Sequence, residues 1–305
     1  MKGSRVLKRF KNMQRIAMSV VLLVVSVAVF AQYPPAPNSL EKYKKIDVAT
    51  QVLQYKLKFK LNYKQKDYYE DDRIVQIGKQ FVKDYSGIIF YFDSLKTVND
   101  NKGLPSPSIP HPVFNYEMFN DFKLGVSKLK YRMDLNGGAI CYTAQLPKLN
   151  WTFVSDSTNV VLDYTCNLAR THFAGRDYDV WYAVDVPLPY GPYKFYGLPG
   201  LIMKVEESTG LYIWEITSMQ NVVQPIYEYT YEAEQKSSEI EAIKAITRLR
   251  KNPIRFLEQL GRHTYIQGTD GRARPSTSIQ NIPDQEYEPL ETIDMCNINS
   301  GKNEK

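Results

Sequence analysis

The sequence predicts an α+β fold, mainly antiparallel β, built as a curved sheet or open half-barrel with one or two covering helices. Three observations carry this expectation. Apolar and polar residues alternate toward the end of Gln51–Leu61, which is the period of a half-buried strand. Short strand-like runs separated by brief polar turns fill Gly138–Met219, the pattern of an antiparallel meander. A helical repeat with its own start signals follows from Ser237.

Residues 1–31 carry Lys2, Arg5, Lys8, Arg9, Lys11 and Arg15 and no acid, then an apolar run from Ile16 to Phe30 that ends in Val29-Phe30-Ala31. A basic start, an apolar middle and a small-residue end are the three parts of a secretory signal peptide. The apolar run is shorter than the roughly 20 residues that span a bilayer, so removal after Ala31 is expected over a retained anchor. Gln32, and no Cys, stands directly after that point, so a lipid anchor is not indicated. The whole chain has 39 Lys plus Arg, 33 Asp plus Glu and a net charge of +6. All of the excess lies in the leader, and the remainder is formally neutral. The basic balance is therefore an export signal and no footprint for nucleic acid. The expected location is the periplasm or cell envelope, or outside the cell. The mature chain is not expected to span a membrane, having no other apolar run of about 18 residues.

Residues 32–49, with Pro34, Pro35 and Pro37, read as an extended lead-in. Residues 50–260 read as the β-rich domain, and residues 261–305 as a polar, mostly irregular tail with little to bury. In the first strand Tyr55, Leu57, Phe59 and Leu61 share one face, and Lys56, Lys58 and Lys60 share a solvated one. Arg73–Gly78 is a second strand. The aromatic stretch Phe81–Leu95 is ambiguous between helix and strand. Four prolines in Leu104–Pro112 make a loop, and its lone His111 is no ligand set. Ala139–Leu146, Asn150–Ser155 and Val160–Ala169 read as strands separated by Pro147-Lys148 and Asp156-Ser157. Tyr178–Val186 stops at Pro187. Leu201–Val205 and Leu211–Thr217 flank a polar hairpin turn ending at Gly210. Ser238 with Glu241 forms a capping box. Ile240, Ile243, Ile246 and Leu249 draw a stripe expected to cover the sheet. Asn252-Pro253 opens a second short helix.

Signatures of catalysis are missing. His111, His172 and His263 are far apart and show no metal spacing. No Gly-x-Ser-x-Gly elbow occurs. In a regular strand Cys166 and His172 would stand about 20 Å apart, too far for proton transfer. Asp71-Asp72 and Asp177/Asp179 lack the loop pattern of a calcium site. Cys141, Cys166 and Cys296 are an odd set with no CxxC pattern. At most one bridge can form; the expected role is small buried hydrophobes, with Cys296 the exposed thiol. No enzyme activity, metal or cofactor is expected.

The centre of the chain runs Gly175-Arg176-Asp177-Tyr178, then Gly191-Pro192-Tyr193-Lys194-Phe195-Tyr196, then Gly197-Leu198-Pro199-Gly200-Leu201-Ile202. This resembles the GLPGLI family of exported Bacteroidetes proteins, named for the last six residues. Ile77-Gly78 is similar to that family's early Ile-Gly element, and Tyr287-Glu288-Pro289-Leu290-Glu291 to its usual ending. Tyr193 stands where the family often has Trp. The resemblance is strong from about Tyr164 to Met219 and weaker from Val52 to Leu290. It implies export and a shared motif but no reaction.

Read physically, the motif is turn chemistry between strands. Pro fixes φ at the first central position of a turn and Gly accepts a positive φ at the next. Two readings stand side by side. One is a packed corner. The other is an aromatic-lined mouth that offers Arg176 and Lys194 to a ligand, with Asp185, Gly191, Pro192, Tyr193, Phe195, Gly197, Leu198, Pro199, Gly200, Leu201 and Ile202 around it. Alternation along Arg176–Val186 puts Arg176 at the end of an apolar face, where it needs a carboxylate, for example Asp163 or Glu215. Two functions follow as expectations: a non-catalytic carrier with an apolar cavity for a hydrophobic or envelope-derived ligand, or a structural protein that docks an outer-membrane partner through the corner.

Overall fold

The computed structural model describes residues 34–134, 138–261, 265–267, 273–275 and 283–292. The expected leader, His263 and Cys296 lie outside the described residues. The first half of the fold is the meander β1 (Tyr43–Phe59), β2 (Tyr69–Gly78), β3 (Phe81–Ser86), β4 (Tyr116–Asp121), β5 (Val126–Arg132) and β6 (Ala139–Gln145). Helix α1 (Gly87–Asn101) interrupts it between β3 and β4. A second meander follows: β7 (Thr152–Val161), β8 (Tyr164–Phe173), β9 (Arg176–Ala183), β10 (Leu201–Glu207) and β11 (Tyr212–Tyr229).

The two meanders join where β11 pairs antiparallel with β1, from Tyr43 opposite Tyr229 to Phe59 opposite Tyr212. A short β12 (Glu234–Lys236) adds parallel to β6. The result is one twelve-stranded sheet in the order β12-β6-β5-β4-β3-β2-β1-β11-β10-β9-β8-β7. It is open, with β12 and β7 at its edges, and is not closed into a barrel. Helices α2 (Glu239–Lys251) and α3 (Pro253–Gln259) follow, and Tyr265–Gln267 with Ala273–Pro275 (β13 and β14) make a separate hairpin. The mainly antiparallel β class expected from the sequence is the class observed.

Alternation explains β1. Tyr55, Leu57 and Phe59 are buried, whereas Lys56 lies outward beside Asp72 and Glu70. The strand begins at Tyr43, inside the stretch read as a lead-in, because the C-terminal half of β11 gives residues 43–49 a partner. Phe81–Leu95 divides at Ser86. Its hydroxyl accepts from the Ile89 N–H at 3.1 Å and caps α1. Asp156-Ser157 is no turn. It is a bulge within β7, where the register slips between Val154 and Thr158. The chain reverses instead at Leu162-Asp163, with φ of 47° and 65°, as a tight hairpin turn requires at both central positions.

The inner face of the sheet carries the core. Val75, Met118, Leu129, Val180, Met203 and Trp214 are fully buried there. Ser238 and Asn252 cap α2 and α3 as the sequence indicates. The buried stripe of α2 is Ala242, Ile246 and Leu249. A strict three-residue repeat drifts around a helix of 3.6 residues per turn, so Ile240 and Ile243 rotate off the contact. Phe256 and Leu257 of α3 complete this cover. One tail residue joins them: Leu290 is 1% exposed. The tail therefore does bury a core side chain, with about 1.5–3 kcal/mol of transfer free energy for a leucine. In the sequence Leu290 is hidden among mostly polar neighbours.

Candidate functional site

Two of the three sequence elements that carry the family resemblance converge on one buried polar centre. The segment Val184–Gly200 leaves β9, crosses the inner face and returns as β10. Its turns close through backbone bonds from Gly197 N–H to Pro189 O (2.9 Å), Leu201 N–H to Val186 O (2.9 Å) and Ile202 N–H to Tyr190 O (3.1 Å). Two glycines are forced by different needs. Gly197 has φ of +90°. At Gly200 a Cβ would stand 2.1 Å from the Ala183 carbonyl oxygen, so only glycine lets the returning chain lie against the end of β9.

Tyr193 is the pivot. It sits in the left-handed region at φ 58° and is 1% exposed. Three side chains hold it there. Its N–H donates to Asp84 Oδ2 at 2.6 Å, its carbonyl accepts from Asn120 Nδ2 at 2.9 Å, and its hydroxyl donates to Glu291 Oε1 at 2.6 Å. Asp84 is fixed in turn by Arg73. That guanidinium gives Nε and Nη2 to Asp84 (2.9 and 2.7 Å), Nη1 to Asp71 (3.1 Å) and to Phe114 O (3.0 Å), and Nη2 also to Tyr116 O (2.7 Å). All three guanidinium nitrogens are thus engaged. Burial works to lower the Arg73 pKa, but Asp84 and Asp71 outweigh it and hold the pKa above the usual value. Burial raises the Asp71 carboxyl above its usual range, against the pull of Arg73.

Beside Tyr193, Lys194 is buried and donates to Glu291 Oε1 at 2.6 Å, with Glu239 of α2 at 3.9 Å. Phe195 packs edge-on against Tyr178 and Trp214, at centroid distances of 4.8 and 6.0 Å. Desolvation, then the Glu291 charge, pushes the Tyr193 phenol well above its normal pKa.

Arg176 is also buried, but its carboxylate is Glu207 at 3.3 Å and not Asp163 or Glu215. Glu215 lies outward against Lys204 at 3.3 Å, and Asp163 sits exposed in the β7–β8 turn. Glu207 stands on the next strand opposite Tyr178, two residues along from Arg176 and on the same face. Its other oxygen binds the N–H groups of Thr209 and Leu211, both at 3.1 Å. Arg176 also donates to the carbonyls of Pro289 (2.6 Å from Nη2) and Leu290 (3.2 Å from Nε).

Of the sequence candidates, Gly191, Pro192, Tyr193, Lys194, Phe195, Leu198, Gly200, Leu201 and Ile202 are buried, while Asp185, Gly197 and Pro199 are exposed. Of the two arrangements the corner has the packed one. Arg73, Asp84, Asn120, Glu207 and Glu291 were not singled out as site residues by the sequence, where Arg73 stands only as the start of a strand and Glu291 only in the family-like ending. Arg73 shares a face with Val75 and Ile77, the same signal that singled out Arg176. Ile77-Gly78 lies apart from this centre. A Cβ on Gly78 would stand 2.5 Å from Asp47 Oδ2, the oxygen that accepts from the Gln80 and Phe81 N–H groups.

Open space lies on the other side of the sheet. A groove of about 990 Å³ runs over β8 to β11, lined by Asn150, Thr152, Arg170, His172, Asp177, Asp179, Glu206 and Ser208, among others. Its polar side chains are paired: Arg170 Nε with Asp179 at 2.8 Å and His172 Nδ1 with Asp177 at 2.7 Å, both across β8 and β9, and Glu206 with Lys204 of its own strand at 2.9 Å. Cys166 is fully buried while His172 is exposed, so they form no catalytic pair. No group of His, Cys, Asp and Glu among the described residues has the arrangement of a metal site.

No family model and no curated protein matches this chain. Among solved structures it is similar to PNGF-II in two crystal forms. Both show 15% identity over 68% of this chain, with TM-scores of 0.42 and 0.41. The chain spans 34% of those proteins' length, and at this similarity the likeness says nothing of activity.

Proposed function

We propose that this chain is an exported, non-catalytic binding protein of the cell envelope, of the kind its Gly197–Ile202 hexapeptide resembles, and that it takes a hydrophilic envelope-derived ligand in the outer groove. One contrast carries the reading: the inner face is filled, whereas the outer face offers an open polar groove. Tyr178, Val180, Leu201, Met203 and Trp214 are each 1% exposed or less, in one buried cluster with side chains of α2, α3 and Leu290. An acyl chain needs a largely preformed apolar pocket. Docking through the corner needs exposed aromatic side chains, and Tyr193 and Phe195 are buried.

The groove mixes donors (Arg170, Asn150) with acceptors (Asp179, Glu206) and hydroxyls (Thr152, Ser208). That lining suits a polyhydroxylated ligand such as a glycan strand, which presents both kinds of group along its length. Export supports the same class, because envelope glycans are what such a protein meets.

The test is calorimetric titration of residues 32–305 with soluble envelope polysaccharide and cell-wall glycan fragments. Saturable binding that falls at least tenfold in Arg170→Ala/Asp179→Ala, with thermal stability unchanged, is the expected result. Binding that the double variant leaves intact, or co-purified lipid in the native mass spectrum, overturns it.

A further inference from the structure

The described tail segment, residues 283–292, has no strand or helix of its own, yet the rest of the protein reads it residue by residue. Its backbone is matched as a bound peptide would be. Gln285 N–H donates to Lys251 O at 2.8 Å, Glu288 N–H to Leu61 O at 2.7 Å, and Thr292 N–H to Ala174 O at 3.0 Å. In the other direction the Tyr212 hydroxyl donates to Glu288 O at 3.1 Å, and Arg176 donates to Pro289 O and Leu290 O. Two side chains enter specific places: Leu290 fills an apolar slot in the core, and the Glu291 carboxylate receives both Lys194 and the Tyr193 hydroxyl. At the far end a Cβ on Gly175 would stand 1.8 Å from Thr292 Oγ1, so the β8–β9 turn is shaped to let the segment pass.

Main-chain bonds for affinity and alternate side-chain pockets for specificity are the marks of peptide recognition in an extended conformation. Proline at the centre suits this use, because its fixed φ lowers the ordering cost of an extended ligand. Arg176 and Lys194, the two cations of this cleft, are both buried; among the described residues their ion-pair partners outside the segment are Glu207 for Arg176 and Glu239 for Lys194.

We infer that the cleft between the Tyr193-Lys194 corner, Arg176 and the β8–β9 turn is a peptide-binding site for an extended Pro-Leu-Glu-Thr segment, filled in cis by residues 283–292 as an exchangeable intramolecular ligand. Arg176 reads the backbone, the core slot selects an aliphatic side chain, and Lys194 with Tyr193 selects the carboxylate that follows.

A protease site placed within residues 276–282 of the full chain lets the segment be cut free with every residue still present. After cleavage, the segment is expected to remain bound through gel filtration and to be replaced by a labelled synthetic peptide of residues 283–292. The same peptide carrying Glu291→Gln should compete at least tenfold more weakly, and the Lys194→Met protein should lose that preference. Failure of the labelled peptide to enter, unfolding of the protein as the segment leaves, or equal competition by the Gln peptide would each overturn the inference. The glycan titration of the outer groove is independent of all three outcomes.

Discussion

Lys194 and Glu291, 97 residues apart in sequence, form a buried ion pair at 2.6 Å with side-chain exposures of 3% and 8%. Removing one partner strands the other in a dry site, which costs about 3–5 kcal/mol. Lys194→Met and Glu291→Gln should each lower stability on that scale in urea titrations. The double substitution should cost less than their sum by at least about 1 kcal/mol. Additive losses would show that the pair is not coupled.

Gly200 and Gly197 separate two roles that glycine plays in one motif. Gly200→Ala sets a methyl 2.1 Å from the Ala183 carbonyl and should abolish folding, seen as loss of soluble monomer. At Gly197→Ala the added Cβ meets only Trp151 Nε1 at 3.7 Å, so the left-handed φ alone is charged, about 1–2 kcal/mol. A Gly200→Ala protein as stable as Gly197→Ala would refute the close-approach argument.

Asp134 gives the fold a pH dependence of known sign. Burial raises its pKa from 3.8 to about 6, against the opposing charge of Arg250 and a hydrogen bond from Asn115. The folded state therefore binds this proton more tightly than the unfolded chain, and the stabilisation it gives below pH 4 is lost as pH rises to about 6. The stability of the native protein minus that of Asp134→Asn, from urea titrations at pH 4, 5, 6 and 7, should fall across that window and level off above it. A flat difference would contradict the assignment.

The thiols offer a further check. Cys141 and Cys166 are both free and buried, and burial pushes the Cys141 pKa up to about 12. In a Cys296→Ser background neither should react with a thiol reagent at pH 8 until the protein is unfolded, because the thiolate is the reactive form. Rapid labelling of the native protein would show an opening that the packing does not contain.

Much of the sheet was legible because period-two alternation is local: Leu57 beside Lys58, or Val180 beside Asp179, declares its face without reference to anything distant. Caps were legible for the same reason, and Ser238 and Asn252 stand where expected. The long-range partners of the corner were not. Alternation shows that Arg176 needs a carboxylate, but choosing Glu207 over Glu215 requires the pairing of β9 with β10. The burial of Leu290 and Glu291 was not legible, because average polarity conceals one leucine and one glutamate whose value depends on where the backbone carries them. The true turn at Leu162-Asp163 was missed because neither residue pair has the Asn-Gly composition that usually marks a positive-φ turn.

The pairing of β1 with β11 also has a consequence in time. The first strand's second neighbour is the last long one, so the pairing of β1 cannot be completed until residue 229 has been synthesised. Until then β1 is a seventeen-residue edge with one side unpaired, and the chain stays pliable enough to be threaded. Contacts this remote in sequence make folding slow. The central seam of the sheet is therefore the last to form, and pulsed hydrogen exchange should show the β1 amides among the last to be protected.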